Sequence, residues 1–119
     1  MMGEVTTHSG SCACGAVAYE VDMALDGLIE CNCSHCYRKG FVLGFVEPEA
    51  FRLTAEGPQT EYLFNRHKIR HRFCNTCGVQ TFARADGPDG NPKVAINVRT
   101  LTDIEPWSWN ATRVDGRSF

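Results

Sequence analysis

Cys74-Asn75-Thr76-Cys77-Gly78 decides how this chain is read, because Cys12-Ala13-Cys14 answers it far upstream. A C-x-x-C pair followed by glycine makes a knuckle. The glycine accepts the positive φ that turns backbone amides toward the two sulfurs. Cys12 and Cys14 are two residues apart. On an extended chain they would face the same side, with Cα atoms ~6.6 Å apart. Two close pairs brought from separate loops form the usual tetrahedral claw for zinc. The remaining three of the seven cysteines lie in Cys31-Asn32-Cys33-Ser34-His35-Cys36, short enough for one ion to be gripped by all three. The economical partition is therefore a closed four-thiolate site (Cys12, Cys14, Cys74, Cys77) and a three-thiolate site (Cys31, Cys33, Cys36) with a position left over. Other partitions, and an iron–sulfur centre, use the same ligands and stay open at this level.

Around these clusters the pattern is mostly strand. Val17, Tyr19 and Val21 alternate with Ala18, Glu20 and Asp22, and Val94, Ile96 and Val98 with Ala95, Asn97 and Arg99; Phe51 to Thr54 alternates as well. Leu28 to Glu30, Phe41 to Val46, Glu61 to Asn65, Ile69 to Cys74 and Val79 to Arg84 read as further strands. Short helical turns are expected at Ser34 to Gly40, Glu47 to Ala50 and Leu101 to Ile104. No long 3.6-residue period and no linker interrupts the 119 residues. The expectation is one domain, mainly β and mainly antiparallel, over residues 1–119.

With 43% hydrophobic residues and a formal net charge of −2, the chain has neither the basic stripe that nucleic acid binding needs nor an apolar run that could span a bilayer. Residues 1–7 lack the basic and apolar regions of a signal peptide. Cysteines in a reducing cytoplasm read as metal ligands before disulfides.

The three-thiolate site carries the functional question. Its fourth position is filled either by water or a substrate thiolate, or by a protein group, with His8, His35, His67 and His71 as the candidates; His71, three residues before Cys74, could approach the other site instead. Arg38 and Lys39 follow the triad after Tyr37 and read either as a solvated basic pair or as charges that offset an anionic zinc–thiolate centre and hold a ligand carboxylate. Trp107, Trp109, Phe41 and Phe45 read as core, and Arg66, Lys68, Arg70 and Arg72 as a solvated face. No general acid stands out beyond His35, His67 and Glu30.

Gly10-Ser11-Cys12-Ala13-Cys14-Gly15, Cys31 to Gly40, Arg72 to Gly78 and the closing Asp115-Gly116-Arg117-Ser118-Phe119 together resemble the glutathione-dependent formaldehyde-activating enzyme family, which includes domains similar to centromere protein V. The resemblance implies a β-tent, two stacked antiparallel sheets pinned by zinc. It implies two zinc ions, a structural one on Cys12, Cys14, Cys74 and Cys77 and a catalytic one on Cys31, Cys33 and Cys36; with three thiolates and an exchangeable position, the second is expected to be the labile one. The implied activity is carbon–sulfur lyase chemistry that reversibly joins glutathione to formaldehyde as S-hydroxymethylglutathione; the same chemistry would join another small thiol to an aldehyde as the corresponding adduct. The alternative from a different class is a non-catalytic zinc module that binds a protein partner. A methionine sulfoxide reductase-like reading would need two C-x-x-C pairs and a free redox cysteine, which these clusters do not supply.

Overall fold

The structure, a computed structural model, describes residues 4–64, 69–87 and 89–118, without the side chain of Phe64. Arg66, His67, Lys68 and Phe119, singled out from the sequence, lie outside the described residues.

Ten strands are described: β1 (Thr6–Ser11), β2 (Val17–Met23), β3 (Leu28–Cys31), β4 (Leu43–Val46), β5 (Phe51–Glu56), β6 (Gln59–Phe64), β7 (Ile69–Cys74), β8 (Gln80–Asp86), β9 (Pro92–Asn97) and β10 (Ala111–Val114). One helix, α1 (Ser34–Lys39), starts inside the second cysteine cluster. The strands form two sheets, a three-stranded one ordered β1-β2-β5 and a seven-stranded one ordered β10-β3-β4-β9-β8-β7-β6. The mainly β content agrees with the alternation in the sequence, and the two sheets agree with the β-tent that the resemblance implies. One pairing departs from the antiparallel expectation: β10 runs parallel to β3, with Arg113 opposite Glu30 and Val114 opposite Cys31.

The sheets pack through the apolar sides of their central strands. On β2, Val17, Tyr19, Val21 and Met23 are all buried while Ala18, Glu20 and Asp22 are not. Tyr19, Val21 and Met23 join Phe51 of the same sheet and Leu28, Phe82, Val94 and Ile96 of the other, while Val17 packs with Cys12 and Cys74. Strand β9 lies at the centre of the large sheet, and both of its faces are covered. Val94 through Val98 are consecutively buried, so its alternation in the sequence does not translate into one wet face. Phe41 is core as expected, and Trp109 packs against the core. Phe45 and Trp107 are corrected: they are 53% and 77% exposed. Trp107 sits in a loop at φ 62°, a conformation that cannot serve a strand. The third helical turn falls at Val98–Thr100 rather than at Leu101 to Ile104.

Gly10 pairs with Tyr19 across β1 and β2. A Cβ at position 10 would run into the Tyr19 ring, which cannot move freely because its hydroxyl is 2.7 Å from Thr100 Oγ1. Overpacking of this kind costs about 1–3 kcal/mol. Gly10→Ala should therefore lower Tm by about 5–15 °C with both cysteine groups still intact. Thermal denaturation checks this, and an unchanged Tm would show that the ring yields without cost.

Candidate metal centres

Cys12 and Cys14 leave β1 and enter a turn instead of continuing the strand. The Gly15 amide donates to the Cys12 carbonyl and the Cys12 amide to Val17. The two sulfurs therefore converge through a hairpin turn, which corrects the extended geometry expected from their spacing. Cys74 ends β7, and Gly78, at φ 78°, donates its amide back to the Cys74 carbonyl at 2.8 Å. This is the knuckle the glycine foretold. The four sulfurs lie within 4.8 Å of one another, with Cys14 Sγ 3.7 Å from both Cys12 Sγ and Cys74 Sγ. Amides of Val17 and Thr76 donate to Cys12 and Cys74 at 3.3 Å each. The amides of Val79 and Cys14 pull the Cys77 thiol down to about 6. The Ala16 amide pulls Cys14 the same way, but desolvation and the neighbouring sulfurs outweigh it and push Cys14 up to about 11. Four thiols this close cannot all ionise without a counter-charge, and a divalent cation supplies one.

The second group is built on the start of α1. Cys33 is its N-cap, and its sulfur accepts from the Cys36 amide at 3.3 Å. The Cys33 amide points at Cys31 Sγ, 3.5 Å away. Cys31, Cys33 and Cys36 again place three sulfurs within 4.8 Å of one another. Burial acts against ionisation of Cys33, yet the amides of Cys36 and His35 and the other two sulfurs bring it below its ordinary value. Cys36 moves the opposite way, raised by burial and then by the crowding Cys33 and Cys31 sulfurs. All three donors are soft, and amides already face two of them, so the residues fit a thiophilic metal such as zinc.

Among the described residues neither group includes a histidine or a carboxylate. His8 bonds Asp103 and Thr6 on the small sheet. His71 is buried and packs against His35 with ring centroids 4.2 Å apart and the planes tilted by 49°. Its Nδ1 accepts from Gln80 Nε2 at 2.7 Å, so it turns away from Cys74. Burial and then the His35 ring hold His71 down at about 4. Burial and then Lys39 lower His35 as well. Both rings are uncharged at neutral pH.

Arg38 and Lys39 lie on α1 but not beside the sulfurs. With Ser34, His35 and Tyr62 they line a shallow depression that no cysteine borders. Arg38 Nη1 bonds the Ser34 carbonyl, and Lys39 Nζ sits 5.4 Å from the Phe73 ring centroid. The cleft that does open onto the triad has a volume of about 450 Å³. Cys31, Cys36, Tyr37 and Phe41 form its floor and rim. Glu30, Arg99, Arg113 and Asp115 provide its charges.

Residues 7–113 match the sequence profile of the glutathione-dependent formaldehyde-activating enzyme family. The chain belongs to this family. Its fold is also that of a crystal structure of a Rhodobacter sphaeroides protein, solved as a structural-genomics target. The two share 26% identity at a TM-score of 0.78, over 89% of this chain and 99% of the other.

Glutathione-dependent formaldehyde-activating enzymes are recognisable here from cysteine spacing alone, but the walls of the cleft are not. Arg99 comes from the turn after β9, and Arg113 from β10, a short strand whose Thr112 and Arg113 are exposed. The only sequence hint is the closing Asp115-Gly116-Arg117-Ser118 motif. In the fold it is latched to the triad through Asn32. The Asn32 side chain donates to Asp115 Oδ1 and accepts from the Arg117 amide, both at 2.9 Å.

Proposed function

We propose that the protein is a zinc-dependent carbon–sulfur lyase of the formaldehyde-activating type, acting in the cytoplasm as one domain over residues 1–119. It would join a small thiol, glutathione or a relative of it, to an aldehyde. The observation that carries this reading is the cleft that opens directly onto a three-sulfur group lacking any histidine or carboxylate among the described residues. A closed site has four protein ligands, whereas a site with three leaves room for an incoming donor. Cys12, Cys14, Cys74 and Cys77 would hold a structural zinc, and Cys31, Cys33 and Cys36 a second, labile one. Bound there, zinc would supply Lewis acidity that favours a thiolate at neutral pH.

The chain's own residues supply the rest. Cys31 and Cys36 border the cleft and fix where a thiol's sulfur must arrive. Phe41 closes its inner side, being only 3% exposed. In the forward direction the thiol sulfur bonds the aldehyde carbon, the carbonyl π bond breaks, and the proton lost from sulfur ends on the new hydroxyl. The reverse releases thiol and aldehyde. Arg99 and Arg113 border this cleft and would meet the thiol's carboxylate, whereas Arg38 and Lys39, the pair nearest the triad in sequence, line the separate depression beside Tyr62.

Exchange spectroscopy on mixtures of glutathione and formaldehyde should show adduct formation faster than the spontaneous background when protein is added. Cys33→Ser should return the rate to background while leaving the fold and the first metal in place. If no small thiol is accelerated by the wild-type, two-metal protein, the lyase reading falls and the non-catalytic zinc module becomes the better account.

A further inference from the structure

We infer that the carboxylate of the thiol substrate is gripped by Arg99 and Arg113, so that the cleft selects thiols bearing a carboxylate over neutral ones of the same size. The inference rests on the reading of the triad as a thiol site and adds to it which residues choose the substrate.

Both arginines line the cleft that exposes Cys31 and Cys36. They enter from different elements, Arg99 from the turn after β9 and Arg113 from β10. Arg99 is already held in place. Its Nε donates to the Gly40 carbonyl at 2.8 Å, and its guanidinium lies 5.4 Å from the Trp109 ring centroid. Those contacts use one of its five donors. Its terminal nitrogens have no hydrogen bond or ion pair among the described residues, and Arg113 has none either. A planar guanidinium with spare donors matches the two oxygens of a carboxylate.

The other charges of the cleft sharpen the selection. Asp115 is occupied: Asn32 Nδ2 donates to one oxygen and the Ser118 hydroxyl to the other at 2.6 Å. Glu30 is the carboxylate left facing the cleft, and it stands in register with Arg113 across the parallel pair. It therefore competes with an incoming carboxylate for Arg113. Arg38 and Lys39 point into the separate depression beside Tyr62, with Arg38 bonded to Ser34 and Lys39 against Phe73.

The test compares 3-mercaptopropionate with 2-mercaptoethanol, titrated calorimetrically into the zinc-loaded protein at low salt, where screening is weak. The wild type should prefer the carboxylate thiol by on the order of tenfold, the worth of one charge-assisted contact. Arg113→Gln should reduce that preference, and Arg99→Gln with Arg113→Gln should erase it, with affinity for 2-mercaptoethanol unchanged. Arg99→Lys, which keeps the charge near Gly40, guards against a folding defect in the double variant and should retain part of the preference. Glu30→Gln should increase the preference. Arg38→Gln with Lys39→Gln should leave it alone. An equal preference in wild type and the Arg99/Arg113 double variant, or its loss in the Arg38/Lys39 variant, overturns the inference while leaving the thiol site standing. If neither thiol binds the wild type, the thiol-site reading fails and the inference fails with it.

Discussion

Replacing Cys74 with serine is expected to leave no folded protein at 25 °C. Cys74 is 1% exposed and packs with Cys12 and Val17 in a small apolar cluster at one end of the sheets. Its sulfur is one of the four that tie the β1–β2 turn to the β7–β8 hairpin, and so the small sheet to the large one. With the proposed zinc in place, this group contributes metal-binding free energy directly to folding. Structural zinc in small peptides is worth about 10–16 kcal/mol, which equals or exceeds the ~5–15 kcal/mol total stability of a typical domain. Serine leaves a buried hydroxyl among three crowded thiols and too few thiolates to hold the ion. Circular dichroism and metal content would show both losses at once, and strong chelation of the wild type should reproduce them. A Cys74→Ser protein with a native melt and two zinc ions per chain would refute the structural assignment.

Gly116→Ala should have the opposite character: a folded protein that has lost one metal. A Cβ on residue 116 would fall on Cys31 Sγ, well inside contact distance, with Cys33 Cβ 3.7 Å away. The backbone of the closing turn therefore rests against the sulfur itself. The turn cannot simply retreat, because Asn32 bonds both Asp115 and the Arg117 amide, and the Asn32 amide bonds Val114. The Cys31 side chain must then give way, and zinc–sulfur distances tolerate only about 0.2 Å of error. Occupancy of the second site should fall at least about tenfold. The four-sulfur group lies elsewhere and keeps the fold. Elemental analysis should return one zinc per chain instead of two, with Tm changed by only about 5 °C or less. Ser118→Ala removes a bond in the same turn without adding an atom near Cys31, and should keep both metals. Two tightly bound zincs in Gly116→Ala would mean that the turn yields and does not set the sulfur.

Both cysteine groups were legible in the sequence because a metal claw is a local device. Cys31, Cys33 and Cys36 fall within six residues, and each C-x-C or C-x-x-C pair announces its half of the other site. The buried strands were legible for a similar reason, since Val17, Tyr19 and Val21 carry their burial in their alternation. Strands β1 and β10 were not. Thr6 to Ser11 and Ala111 to Val114 lie at sheet edges, where much of each strand is wet and apolar alternation has nothing to record. The parallel partnership of β10 with β3 pairs Ala111–Val114 with the distant Leu28–Cys31, so no local pattern could reveal it. The cleft was missed for the same reason. Arg38 and Lys39 are next to the triad in sequence and turn away from it in space, while Arg99 and Arg113 are distant in sequence and border it.

On the ribosome the two proposed zinc sites would be completed out of order of strength. Cys31, Cys33 and Cys36 emerge as a finished claw while Cys12 and Cys14 still wait for partners, the first of them Cys74, 60 positions beyond Cys14. At about 5–20 residues per second, the stretch from Cys36 to Cys74 takes a few seconds to make. For that interval the weaker chelator is the complete one and the stronger is only half present. The first ion captured by the nascent chain would then sit at the triad. It would stay exposed to exchange until Val114 and Gly116 close against Cys31, so a cell short of zinc would complete the scaffold and leave the working site empty.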